Sequence, residues 1–373
     1  MPNKGSMRRI VVVIVVIVLP AAAAATSAYA AKPPAAKPPA AAPPRDFFGM
    51  VSEDAFQVIG DYRQMTLATQ ASLGVGLLRQ TFDWSKIEVA PGNYDLSWYD
   101  QFVADTARAG IAILPILCRP PAFRGGVPGT LTYPPTNYAD LGDFGAVLVR
   151  RYGPNGTFWA QNPTVPRMPI RAWQIWNEPN LKAYWPRGPN PKQYAQLLKA
   201  AAGPIKAADP SAEIVTAGMP ESKVGVPLKK FIPGLYKAGA KKWFDTLAIN
   251  PYGHTASRVI KNLAAARRIM RRYHDKAPIW ATEVGWSDAG PPSAEMVGPQ
   301  GQATQVGNLV GAVLRARTRL NLRGVVYFGW RDAQPYSDKD FWGLHTGLLT
   351  LDGQPKPAYY ALQASLAAAL RRG

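Results

Sequence analysis

Glu178 closes the run WQIWNEPN (173–180), and Glu283 stands inside IWATEVGWSD (279–288). In both stretches an aromatic-rich apolar segment leads into the acid, and the chain then turns away at Pro179 or Gly285. One acid at the end of an apolar run is ordinarily a solvated cap. Two in matched settings can divide a reaction between them. A carboxyl kept protonated delivers a proton to a leaving oxygen, while one kept ionised attacks carbon or activates water. Placed on either side of a sugar linkage, that division of labour is glycoside hydrolysis. Trp173, Trp176 and Trp185 supply apolar surroundings expected to raise the pKa of Glu178 and hold its proton. Two neighbouring carboxylates also push their titrations apart, so the pair is expected to titrate as a unit.

The acids act together only if the fold brings them together. From Asp46 onward short apolar runs alternate with longer amphipathic stretches. The runs lie at 46–52, 74–84, 111–117, 170–179, 212–220, 244–253, 278–288 and 323–332. Helical patterns occupy 99–110, 191–209 and 301–320, among others. Strands alternating with helices argue for a parallel sheet, and eight such units over 46–373 predict a (β/α)8 TIM barrel forming one catalytic domain. An open doubly wound sheet is the alternative, but GVGLL (74–78) lacks the third glycine and the helix start of a dinucleotide-binding turn. In the barrel, Glu178 ends the fourth strand and Glu283 the seventh. They stand three units apart at roughly 35 residues per unit, near the size typical of barrels. The C-terminal strand ends converge on one face, which would gather Arg79, Arg119, Asn177, Tyr252, His254, Trp286 and Trp330 around the acids. The loops 119–137, 179–191 and 331–346 are expected to shape the cleft.

The two acid motifs, in this order and at this spacing, resemble the strand-four and strand-seven motifs of clan A glycoside hydrolases, the retaining (β/α)8 enzymes. The likeness is greatest to β-xylosidases and related secreted hydrolases of glycoside hydrolase family 39 and its neighbours. FDTLAINPYG (244–253) and GLLTLDGQPKPAYYAL (347–362) share in it, so it runs through most of 46–366. The resemblance implies that Glu178 is the general acid/base and Glu283 the nucleophile. Asn177 would hydrogen-bond the sugar 2-hydroxyl, and Arg79 would contact the nucleophile as a fixed cation favouring its ionised form. Tyr252 would donate a hydrogen bond to Glu283, and Trp330 would form an apolar platform under the sugar. Trp286 and His254 are further substrate-binding candidates. Many relatives carry His-Pro-Tyr at the end of strand six, whereas this chain reads Asn250-Pro251-Tyr252. His254, two residues on, is either a substitute in the pocket or an ordinary loop histidine.

Composition bounds the rest. The 373 residues, 47% hydrophobic and 18% charged, suit a folded protein with a sizeable core. Arg8 and Arg9, the aliphatic run 10–19 and small residues at Ala28 and Ala30 read as a secretory signal peptide cleaved after Ala30. A retained membrane anchor is the rival, though the strongly apolar run is about half the ~20 residues a spanning helix needs. AKPPAAKPPAAAPPR (31–45) reads as an extended Pro/Ala-rich linker. The expected product is secreted or associated with the cell envelope. The single cysteine, Cys118, excludes an intrachain disulfide and a metal–thiolate site, and its apolar run predicts a buried thiol. No metal, cofactor or stable protein partner is implied.

The formal net charge is +19, of which Lys4, Arg8 and Arg9 lie in the leader. Export argues against nucleic acid as the partner. A carbohydrate substrate and electrostatic association with anionic envelope polymers are the partners expected. A transglycosylase, which passes the glycosyl group to a sugar instead of water, is compatible with the same acids. A catalytically inactive sugar- or wall-binding protein on the same barrel is the non-enzymatic alternative.

Overall fold

The computed structural model describes residues 42–127, 132–334 and 340–371. The expected signal peptide (1–30) and most of the linker (31–45) lie outside these residues, as do 128–131 and 335–339 within two of the cleft loops.

The apolar runs form the strands of one curled parallel sheet: β1 (Phe48–Val51), β2 (Leu77–Asp83), β3 (Ala112–Cys118), β4 (Ala172–Ile175), β5 (Glu213–Val215), β6 (Met219–Pro220), β7 (Leu247–Asn250), β8 (Ile279–Val284) and β9 (Leu322–Phe328). Their order is β5-β4-β3-β2-β1-β9-β8-β7-β6. Each run predicted from the sequence contains a strand, but the fifth is split into β5 and β6 by Thr216–Gly218. The break has a local cause: the Thr216 hydroxyl oxygen accepts the Ala248 N–H at 2.8 Å, taking the place of a ladder carbonyl. Val215, at the end of β5, bridges in parallel to Thr246, just before β7, and the Thr216 N–H donates to the Thr246 carbonyl at 3.0 Å.

Longer helices return the chain between strands: α1 (Asp61–Ser72), α2 (Ser97–Arg108), α3 (Ala139–Tyr152), α4 (Pro191–Ala208), α5 (Leu228–Lys237), α6 (Ala256–Arg272), α7 (Gly298–Leu320) and α8 (Pro357–Leu370). Their ends follow from side-chain chemistry. Asn190 caps α4 by accepting the N–H groups of Lys192 and Gln193, with Pro191 in the first turn, where its missing donor costs nothing. The Thr255 hydroxyl caps α6 by accepting from Arg258.

Side chains of the sheet sort onto two faces, as the two-residue period of a strand requires. Val51, Leu77, Leu114, Ala172, Val215, Ala248, Trp280 and Val326 form one buried cluster on the concave side. Residues of opposite parity, such as Leu78, Phe82, Trp173, Ile175 and Tyr327, join a larger cluster that packs the sheet against the helices. Cys118 is buried as expected, and burial pushes its thiol up to about 12.

Candidate active site

The C-terminal ends of β2, β4, β7 and β8 carry one connected polar network. Arg79, on the concave side of β2 and 3% exposed, lies at its centre. Its Nη1 donates to Glu283 Oε1 at 2.5 Å, its Nη2 to Asn177 Oδ1 at 2.9 Å and its Nε to Gln174 Oε1 at 2.7 Å. Tyr252, just past β7, donates its hydroxyl to the second Glu283 oxygen at 2.8 Å. Both Glu283 oxygens are thus held, one by a fixed cation and one by a phenol. The Tyr252 hydroxyl is itself pushed well up by burial and by the nearby Glu283 and Glu178 charges, so it remains a donor.

Glu178 sits differently. Trp176 (φ 74°) and Glu178 (φ 42°) both occupy the left-handed backbone region that side-chain-bearing residues avoid. The chain therefore twists sharply on either side of Asn177, and the Glu178 N–H is secured by the Gly218 carbonyl at 3.1 Å. Among the described residues no side-chain cation pairs with Glu178 within salt-bridge range, and its Oε1 accepts from Asn250 Nδ2 alone, at 2.8 Å. Thr282 in turn fixes Asn250 by donating to its Oδ1 at 2.8 Å. The Glu178 carboxyl is pushed up to about 8, first by burial and second by the Glu283 charge, against the smaller opposing effects of Asn250 and Arg79. One acid is clamped between donors and the other is biased toward keeping its proton. This asymmetry distinguishes a carboxylate nucleophile from a general acid.

Glu178, Glu283, Arg79, Asn177 and Tyr252 therefore come together as the sequence predicts. Three other expected residues do not. Trp330 is 2% exposed and packs edge-on against Tyr359 of α8, with ring centroids 5.9 Å apart, so it fills the core between sheet and helices. Phe328, two residues earlier, is half-buried and packs on the concave cluster, which places it on the inner face at the end of β9. Trp286 is fully buried and donates its indole N–H to the Gly253 carbonyl at 2.8 Å, bracing the loop after β7. His254 is exposed, with Nδ1 2.9 Å from the Ala294 carbonyl oxygen; it is an ordinary loop histidine. The tryptophan explanation for Glu178 also changes. Trp173 lies on the helix-facing side of β4, and Trp185 packs into the core against Trp176 and Tyr194.

Several participants were not singled out from the sequence. Gln174 is a polar side chain between Trp173 and Ile175, and strand alternation alone turns it to the concave face, where it orients Arg79. Tyr184, half-buried in the loop after β4, stands beside Asn177, with its hydroxyl raised by burial and by the two glutamate charges. Trp342, by contrast, is a tryptophan that the sequence already puts on the expected active face; it meets the Tyr252 ring edge-on at 5.1 Å and brings the 340s loop over the site. Asn250, legible only as a departure from relatives, proves to be the hydrogen-bond partner of Glu178.

No family model matches the sequence, and no curated protein matches it. Among solved structures the chain is similar to a family 39 glycoside hydrolase from the gut symbiont Bacteroides cellulosilyticus WH2, with a TM-score of 0.64 and 21% identity. The match covers 87% of this chain and 64% of that one, so the chain spans under two thirds of that protein's length. It is similar to a GH39 β-xylosidase from Caulobacter crescentus, with a TM-score of 0.63 and 20% identity over 88% of this chain and 73% of that one. An Ignisphaera aggregans GH53 catalytic domain matches at a TM-score of 0.58 and 20% identity, over 86% of this chain and 97% of that domain. The curled parallel α/β architecture is thus one that glycoside hydrolases of several families share.

Proposed function

We propose that this chain is a glycosidase that cleaves O-glycosidic bonds of a β-linked poly- or oligosaccharide by double displacement. The supporting observation is the asymmetry of the two acids: Glu283 is held at both oxygens by Arg79 and Tyr252, whereas Glu178 is raised to about 8 and, among the described residues, has the neutral Asn250 amide as its one side-chain donor. In the first step Glu283 attacks the anomeric carbon while Glu178 gives its proton to the departing oxygen. In the second, Glu178 takes a proton from water, and that water releases the sugar from Glu283. Asn177, fixed by Arg79, would hydrogen-bond the 2-hydroxyl. Phe328, in place of Trp330, is the apolar surface offered to the ring. A sugar replacing water in the second step would give transglycosylation on the same residues.

We read β5 and β6 as two parts of one strand and the sheet as a (β/α)8 barrel, because each of its eight strands then contributes one residue to the concave cluster. Residues 46–373 would form its catalytic domain, preceded by a cleaved export signal (1–30) and a linker (31–45).

Turnover of a panel of aryl β-glycosides by the wild type, lost in Glu283→Ala and rescued by azide as a glycosyl azide of inverted configuration, supports the nucleophile role. In Glu178→Ala, a glycoside with a good leaving group keeps a fast first step while a poor one loses it. Equal losses for both would remove Glu178 from the acid role.

A further inference from the structure

The reacting pair spans from β4 to β8, and the ends of β3, β2 and β1 form one flank between them. That flank carries charged groups the proposed reaction does not use. Glu53 follows β1 directly, two residues after Val51 of the concave cluster. It is exposed, yet enough protein surrounds it that burial raises its carboxyl, with Gln80, Arg119 and Arg79 opposing the rise. Just past the C-terminal end of β1 and exposed, it stands at the same end of the sheet as the two acids. Among the described residues its hydrogen-bond partner is Gln80 alone, at 3.3 and 3.4 Å, long for such bonds. Its carboxylate therefore keeps acceptor capacity for a ligand. Arg119, directly after β3 with φ 62°, is half exposed and reaches Asp83 at 3.3 Å, so among the described residues its guanidinium keeps further donors for a ligand.

We propose that Glu53, with Arg119 beside it, forms a specificity subsite that reads adjacent ring hydroxyls of a neutral glycone. The subsite rests on the hydrolase function proposed above. Vicinal hydroxyls offer two donors to one carboxylate and acceptors to a guanidinium, which matches what this flank leaves unpaired. A uronate ring would instead bring a second carboxylate against Glu53. Asn177 lies on β4's side of Arg79 and Glu53 on β1's side, so the hydroxyls read by Glu53 are ones remote from the 2-position.

The test uses the full-length protein and the neutral aryl β-glycoside that it turns over best, beside the 3-deoxy and 4-deoxy analogues. A hydrogen bond to a charged group is worth about 10- to 100-fold in kcat/KM, so one deoxy analogue should lose that much with the wild type. With Glu53→Ala the same deletion should cost under about threefold, since the partner is already gone. Glu53→Gln, which keeps the shape and one acceptor, should show an intermediate penalty. A misfolded variant would lose all substrates alike and would not erase the distinction between parent and deoxy compound. Equal deoxy penalties in wild type and Glu53→Ala would overturn the subsite while leaving the hydrolase function standing. A wild-type preference for aryl uronides would overturn the neutral-glycone assignment. No turnover of any glycoside by the wild type would overturn the function, and the subsite with it.

Discussion

Glu178 carries the carboxyl whose protonation the proposed chemistry depends on, and its partners make its titration adjustable. Burial and the Glu283 charge raise it to about 8, while the hydrogen bond from Asn250 favours the ionised form. The alkaline limb of kcat/KM should therefore fall near pH 8. Asn250→Ala should move that limb to higher pH as well as lower the rate, which a pH–rate profile would measure; a limb that stays in place would separate Asn250 from the acid. The same raised pKa acts on stability. Below the ordinary value near 4.5 the proton is bound whether the chain is folded or not, and the favourable contribution of the folded state's tighter proton binding is complete. It is lost as pH rises from there through about 8. Glu178→Gln, which cannot ionise, should thus gain melting temperature relative to the wild type on going from pH 5 to pH 9. An unchanged difference across that range would show that Glu178 is not strained by its charge.

At the level of elements, the site depends on where the split strand leaves space. Gly218, between β5 and β6, gives its carbonyl to the Glu178 N–H, and a Cβ there would collide with the Asn250 amide oxygen and the Thr282 hydroxyl. Gly218→Ala should displace Asn250 from Glu178 and cost activity out of proportion to stability, read as kcat/KM against a denaturant midpoint. A variant with wild-type kcat/KM would refute the coupling. A second device secures the rim. Lys356, 4% exposed at the start of α8, pairs with Asp288 after β8 at 2.8 Å and with Asp332 after β9 at 2.6 Å. Lys356→Met would strand two part-buried carboxylates, and loss of one partner from such a buried arrangement typically costs about 3–5 kcal/mol. Urea unfolding measures it; a loss below about 1 kcal/mol, the range of exposed pairs, would show that water already screens them.

Over the whole molecule, charge is the property no single site accounts for. Forty-three lysines and arginines against 24 acids leave the +19 excess, and much of it lies on helices such as α6 and α7. Attraction between such a surface and an anionic envelope polymer is screened over about 10 Å at 0.1 M salt. Retention on anionic wall polysaccharide should weaken steeply between 50 and 500 mM NaCl, conditions set on the scale of that screening, while turnover of a small neutral glycoside should change little. Salt-independent retention would place the attachment in the cleft or in apolar contacts.

Much of this was legible in the chain itself. The alternation of apolar runs and amphipathic stretches located the strands, because a parallel sheet covered on both faces demands continuous apolar segments. The matched settings of Glu178 and Glu283 singled out the two candidate acids, and the resemblance led to Arg79, Asn177 and Tyr252, which the fold gathers with them. The choice between residues of similar type was not legible. Trp330 and Phe328 are two residues apart, so strand alternation alone would give them one face; Trp330 lies past the end of β9, and its packing on Tyr359, a neighbour distant in sequence, turns it into the core. Trp286 and His254 sit beside the candidate site motifs in sequence, but their partners Gly253 and Ala294 come from other loops. The raised carboxyl of Glu178 likewise comes from burial and from the Glu283 charge, with Asn250 and Arg79 opposing, and only the folded sheet brings these groups together. Local pattern determines which segments are buried and which residue types can react. The protonation state and orientation of each are decided by nonlocal neighbours.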